Sequence, residues 1–364
     1  MKRLRLTALV GLVLLVVVAP GAAQRHAAPA QAKAPQAHAA KAVGTYTPAQ
    51  VAKASAPWKC KPVYSVPASD KGTKLAFINP GPADPYVAAW SFGYKAAAKF
   101  YGASLKEAFL GNYAFSKLID QYHSVSAFDP DVVGALGDSG TGLALLAATK
   151  ADHRKLVFID TIVKGGIQIG LQNKEGGKLE GQQLKKAVVP LLNGSWKGNK
   201  VVVVGFSGKG CEPCDQRVQG AFDEIKTFLP NAKYLFLRDV ADNVNAAQVR
   251  MTDLITGNPG ADFVVAALDD ETGGGAFNAI RQAKIESKAR LATLGGDNLA
   301  IANILKKSPA YVASIDAKPF CEAWNWVEAA LAVKDGKTFS PYPFTGVITP
   351  ANVAKYKWRL KIKF

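Results

Sequence analysis

Over residues 74–296 the chain repeats one unit, an apolar run of strand length, a short turn and an amphipathic run of helix length; no other feature restricts the fold as tightly. A strand that returns parallel to its neighbour needs a crossover, and a helix supplies it. The first series reads KLAFIN (Lys74–Asn79), then YVAAWSFGYKAAAKFYG stopped by Gly102, then DVVGAL, TGLALLAATKA and KLVFID. A glycine just past the last apolar residue is a helix-stop signal. A second series follows KEGGKLEGQQLKKAVVPLL: KVVVVGF, QRVQGAFDEIKTFL, KYLFLRD, NAAQVRMTDLIT, DFVVAAL, GGGAFNAIRQA and RLATLGG. In its first helix Val218, Phe222, Ile225 and Leu229 form one apolar stripe to lay on a sheet. The strands are apolar on both faces, as parallel strands covered by helices are. Two such series predict two α/β domains.

Residues 1–23 stand apart. MKRLRL is a basic start, TALVGLVLLVVV an apolar core and APGAA a small-residue cleavage region, which together read as a signal peptide and place the chain in the periplasm, in the medium or on the cell surface. An uncleaved membrane anchor is the competing reading of the same run. The Ala, Pro, Gln and Lys mixture that follows holds almost nothing large to bury, so residues 24–66 are expected to form a flexible tether.

The formal charge of +17 suits an anionic wall or membrane surface, whereas export argues against a nucleic-acid partner. The lysines are scattered, so a solvated basic face is the simpler reading. Four cysteines in an exported chain pair in three ways; the short loop favours Cys211 with Cys214, which leaves Cys60 with Cys321.

In open α/β sheets ligands bind outside the carboxyl ends of the strands. Asp84, Asp160, Asp269 and Asp297 all follow strands, Tyr86 follows Asp84, and Arg217 follows VVVVGF. A single strand-end carboxylate is ordinarily a helix cap, but recurrence in both halves favours a shared site.

In order and spacing these segments resemble the type 1 periplasmic solute-binding proteins, in particular the ribose and galactose-like branch that serves sugar-uptake ABC transporters. The resemblance rests on INPGPADPYVAAWSFGYKAAAKFYG, KLVFID, QNKEGGKLEG, QRVQGAF, ALDDETGGGAFNAI and GGDN, and runs from about Lys74 to the C-terminus. It implies two Rossmann-like lobes with parallel sheets joined by a three-segment hinge near Gly170, Ser314 and Tyr342. One lobe would hold residues 67–170 and 315–341, the other 171–314 and 342–364. It also implies a cleft lined by Asp84, Tyr86, Asp160, Arg217, Asp269 and Asp297, a monomer without cofactor or metal, an ABC permease as partner, and no catalysis. Thr161 stands where such proteins often carry Arg, Asp84 and Asp269 where Asn is common, and Ala135 where a polar side chain often reaches the ligand. The pocket should therefore be more acidic than a typical sugar site, with a sugar, a polyol, an amino sugar or another cationic solute as ligand.

Other chemistries are less well supported. Cys211-Glu-Pro-Cys214 between a strand and a helix would suit a thiol-disulfide oxidoreductase, the main alternative, but it is embedded among the segments above. A ligand sensor of the same fold is a further alternative. Zinc would need a second Cys or His pair. His123 and His153 lie in polar company, GDSGTG lacks the Lys-Ser or Lys-Thr of a phosphate loop, and of Trp324 and Trp326 one is expected at a lobe surface.

Overall fold

The computed structural model describes residues 45–81, 85–111, 113–240, 243–342 and 346–362. Residues 1–44, read above as a signal peptide and the first part of a tether, lie outside these residues. In chain order the elements are α1 (Pro48–Ala54), β1 (Lys74–Asn79), α2 (Pro85–Tyr101), β2 (Ser104–Phe109), α3 (Leu118–Ser126), β3 (Val132–Ala135), α4 (Ser139–Ala151), β4 (Lys155–Ile159), β5 (Ile167–Ile169) and α5 (Asn173–Leu192). They continue as β6 (Val201–Phe206), α6 (Glu212–Ile225), β7 (Lys233–Leu237), α7 (Val244–Gly257), β8 (Asp262–Ala267), α8 (Asp270–Gln282), β9 (Ala289–Gly295), α9 (Asn298–Ile304), β10 (Tyr311–Asp316), α10 (Pro319–Lys334) and β11 (Val347–Ile348).

The strands make two sheets. The first has the order β2-β1-β3-β4-β5 and is parallel throughout; the second has the order β11-β10-β9-β8-β6-β7, with only β11 antiparallel. Side-chain alternation explains the unbroken apolar runs. Phe77 and Val157 point to the face under α2 and α10, while Ile78 and Phe158 point to the face under α3 and α4. In the second sheet Val202 and Val265 meet α7, α8 and α9, and Val203 and Val264 meet α5 and α6. Each sheet is thus buried on both sides, which a parallel sheet requires.

Three connections run between the sheets. The chain leaves β5 through Gly170 for α5, leaves β10 for α10, which packs on α2 and the first sheet, and returns from α10 to β11. Gly170 has φ 121°, and a Cβ there would lie 2.5 Å from Asp160 Oδ1 and 2.8 Å from Glu322 Oε1, so no other residue fits this crossing.

Two expectations need correction. The tether ends earlier than residue 66, because from Thr45 the chain packs on the first sheet's helices. Val51, Trp58, Cys60, Val63 and Val66 are buried, Cys60 is bonded to Cys321 at the start of α10, and the Trp58 ring stacks on Phe320 at 5.5 Å. Composition hid this because each anchor is a long-range contact. Trp324 and Trp326 are both fully buried, neither at a surface. Trp326 lies over Gly134, where a Cβ would come within 2.1 Å of its ring, and its indole donates to the Val157 carbonyl.

The same region holds a titratable anchor. The carboxyl of Glu328 on α10 accepts from Val63 N at 2.7 Å, Tyr101 Oη at 2.6 Å, Trp324 Nε1 at 3.0 Å and Asn325 Nδ2 at 3.0 Å. Burial outweighs these four donors and pushes its pKa up from 4.5 to about 6. A carboxyl that keeps its proton to higher pH when folded than when unfolded adds stability that is complete below 4.5 and lost as the pH rises through about 6. At about 1.4 kcal/mol per unit, the loss is about 2 kcal/mol. Urea titrations across this window should show wild-type stability falling more steeply with pH than that of Glu328→Gln, whatever the variant's baseline. Parallel slopes would count against the assignment.

Candidate functional site

A cavity of about 630 Å³, counting its open mouth, lies at the carboxyl ends of both sheets. Its walls come from the turns that follow the strands. Tyr86 and Trp90 of α2, with Tyr113 and Phe115 after β2, form an aromatic wall on the first-sheet side. Leu136, Gly137 and Asp138 follow β3, and Asp160 ends β4. From the second sheet come Cys211, Pro213, Cys214 and Arg217 at the start of α6, Leu268 to Glu271 after β8, and Leu294, Gly295 and Asp297 at the end of β9.

Of the residues singled out in the sequence, Tyr86, Asp160, Arg217, Asp269 and Asp297 line this cavity, and Asp84 lies outside the described residues. Two of the acids also cap helices. Asp269 Oδ1 accepts from Thr272 N at 2.7 Å at the start of α8, and Asp297 Oδ1 accepts from Ala300 N at 2.9 Å at the start of α9. Capping fixes each side chain and satisfies a helix-end N–H that would otherwise be orphaned. Asp138, in the GDSGTG segment, likewise caps α4 through Thr141 N and lines the cavity.

Arg217 joins the two sides. Its Nη2 reaches Asp160 Oδ2 at 3.3 Å, its Nε donates to Asn173 Oδ1 at 2.7 Å and its Nη1 to the Leu268 carbonyl at 3.3 Å. Asn173 in turn donates to the Asp160 carbonyl at 2.8 Å. The guanidinium is buried, and burial alone would lower its pKa; the charge of Asp160 reverses this and holds it above the ordinary value.

Behind Asp160 sits Glu322, fully buried on α10. Its Oε2 accepts from Tyr86 Oη at 2.6 Å and Trp90 Nε1 at 2.9 Å, while its Oε1 and Asp160 Oδ1 share Leu171 N at 2.9 and 2.6 Å. Burial, followed by the charge of Asp160, holds the Glu322 carboxyl well above its ordinary pKa. Glu322 orients the aromatic wall without lining the cavity, and it was missed in the sequence. The available signal was a carboxylate inside the apolar run FCEAWNWVEAA. Trp90 was legible in principle, since it lies one helical turn from Tyr86. Tyr113 and Phe115 sit in an irregular connection with no periodicity to betray them.

Asp270 also lines the cavity, but its carboxylate is taken up by neighbouring groups. Its Oδ1 accepts from Thr293 and from Ser314 Oγ at 2.8 Å, and its Oδ2 from Asp297 N at 2.9 Å, so it braces the β9 and β10 ends. Thr161 is buried and its hydroxyl donates to the Gly137 carbonyl at 2.8 Å, tying two strand-end turns together. Ala135 is buried within β3. Cys211 and Cys214 are bonded to each other and form part of the wall one turn before Arg217. Among the described residues no group of His, Cys, Asp and Glu is arranged to hold a metal ion, and His123 and His153 are exposed.

Comparison with known proteins agrees with the two-sheet α/β fold. The periplasmic binding protein domain model matches residues 75–338. No curated protein matches the chain in sequence. Among solved structures, an ABC transporter solute-binding protein from Mycobacterium smegmatis with bound glycerol superposes with a TM-score of 0.68 at 21% identity, covering 78% of this chain and 96% of that one. One from Actinobacillus succinogenes with bound D-allose gives 0.68 at 18% identity over 78% and 100% of the two chains. One from Bacillus halodurans with bound myo-inositol gives 0.69 at 13% identity over 80% and 99%. At these identities the likeness speaks for the fold.

Proposed function

The chain belongs to the periplasmic binding protein domain family, and from that premise we propose that it is an exported solute-binding protein that takes a small polyhydroxylated molecule, a sugar or a polyol, between two lobes and delivers it to the permease of an ABC importer. The observation that carries this reading is the place of the cavity, at the carboxyl ends of both sheets and walled from both, with Arg217 of one side reaching Asp160 of the other. The chemistry suits hydroxyl-rich ligands. Carboxylates accept from vicinal hydroxyls, an arginine donates in a fixed fork, and Tyr86 and Trp90 offer flat faces to ring carbons. That three structural neighbours hold glycerol, D-allose and myo-inositol supports the same class.

In this reading the protein acts as a monomer and makes or breaks no bond. The three connections between the sheets are the hinge, and the lobes close on the ligand because it contacts both better in the closed state. The family membership lends no support to the thiol-disulfide oxidoreductase. Cys211–Cys214 and Cys60–Cys321 act as braces, one for the cavity wall and one for the start of α10.

A thermal-shift screen of the mature protein against neutral sugars, polyols and their amine-bearing counterparts tests the reading, since a ligand bound only by the folded state raises its melting temperature. A rise with at least one polyhydroxylated class is expected. No rise across the panel would overturn the ligand assignment.

A further inference from the structure

The surface and the cavity of this protein carry opposite charge. The chain has a formal charge of +17, yet six carboxyl-bearing residues line the cavity against one basic residue, Arg217. That arginine is already committed, by its ion pair with Asp160 and its bonds to Asn173 and the Leu268 carbonyl. Its charge is therefore matched before any ligand enters. The acids contributed after β8 and β9, Asp269, Glu271 and Asp297, face a wall built from aromatic rings, among them Tyr86 and Trp90 with centroids 5.4 Å apart. Carboxylates opposite aromatic faces form the surroundings that a protonated amine prefers, because both present negative potential.

A second observation points the same way. Asp269 is only 8% exposed, its Oδ1 is used by the α8 cap, and its Oδ2 is buried without a hydrogen-bond partner among the described residues. A buried carboxylate oxygen without a donor is costly, and a ligand group that brings both a donor and a positive charge relieves that cost more fully than a hydroxyl does.

Resting on the reading of the chain as a solute-binding protein, we infer that the cleft is built for a ligand that carries a protonated amine together with its hydroxyls, and that Asp269 is the residue that takes the ammonium. The ligand class is thus amino sugars and amino polyols. Arg217 and Asp160 join the two sides of the cavity, and the aromatic wall covers the ligand's carbon face.

The test compares matched probes by calorimetric titration at neutral pH: D-glucosamine with D-glucose, D-galactosamine with D-galactose, and D-glucamine with D-sorbitol. In at least one pair the amine is expected to bind about tenfold or more tighter than its neutral partner. Asp269→Asn, which keeps the capping oxygen, should remove most of that advantage, the amine losing about tenfold more affinity than its neutral partner. Equal binding of amine and neutral members, or an equal loss for both in Asp269→Asn, overturns the inference and leaves the solute-binding reading intact. Binding of none of the six probes overturns both.

Discussion

Replacing Gly177 by alanine is expected to destabilise the protein by about 2 kcal/mol or more, although alanine is the better helix former by about 1 kcal/mol. Helices α5 and α6 cross with their backbones in contact. A Cβ on Gly177 would lie 1.7 Å from the Arg217 carbonyl oxygen, and one on Gly220 would lie 2.1 Å from that of Lys174. Backbone cannot rotate aside as a flexible side chain can, so one helix must move bodily, and the clash outweighs the gain in propensity. Helix α6 carries Arg217 and α5 carries its partner Asn173, so whichever moves, ligand affinity should fall with stability. The control is Gly257→Ala at the end of α7, where a new Cβ meets nothing within 4 Å. That variant should be neutral or slightly more stable. Thermal unfolding of the two variants decides it; similar melting temperatures would refute the close crossing.

Arg217→Met carries the second large effect. The substitution keeps bulk but removes the donors to Asp160, Asn173 and Leu268, and leaves Asp160, only 2% exposed, without its cation. Breaking a buried ion pair from one side costs about 3–5 kcal/mol. Lysine should rescue little, because one ammonium cannot reproduce three donors held in a plane. Ligand affinity should fall by a hundredfold or more on the same scale, about 3 kcal/mol. Chemical denaturation and titration of the purified variant read the two losses separately. Full stability with full affinity would mean that Arg217 joins nothing across the cleft.

These two residues also show how far the sequence reaches. Arg217 stands in a segment whose pattern was legible, because strands buried on both faces must be apolar throughout and helices on a sheet must carry a stripe, whereas the segment of Gly177 was read only as the stretch before the second series. Strand-end residues were equally legible, since parallel topology sends every strand's carboxyl end to one edge; of the six residues named from that rule and the family resemblance, Tyr86, Asp160, Arg217, Asp269 and Asp297 line the cavity and Asp84 lies outside the described residues. The capping of α8 and α9 by Asp269 and Asp297 was the competing expectation, and the structure shows capping and cavity lining together. Residues whose role depends on distant partners were not legible. Glu322 meets Tyr86 across 236 positions, whereas the pairing of Cys60 with Cys321 across 261 was reached only because four cysteines left no other partner. Nothing in the Ala- and Pro-rich composition near Trp58 announces that its ring lies 4.5 Å from the buried guanidinium of Arg359.

The central claim is that one small solute occupies the cleft between the two sheets. Calorimetric titration of the mature protein with the strongest compound from the thermal-shift panel tests it most directly, run in parallel on wild type and Arg217→Met. The account predicts saturable binding of one molecule per chain in wild type and its near-complete loss in the variant, with the variant shown to be folded by circular dichroism. Equal binding to both proteins, or heats that never saturate in wild type, would contradict it.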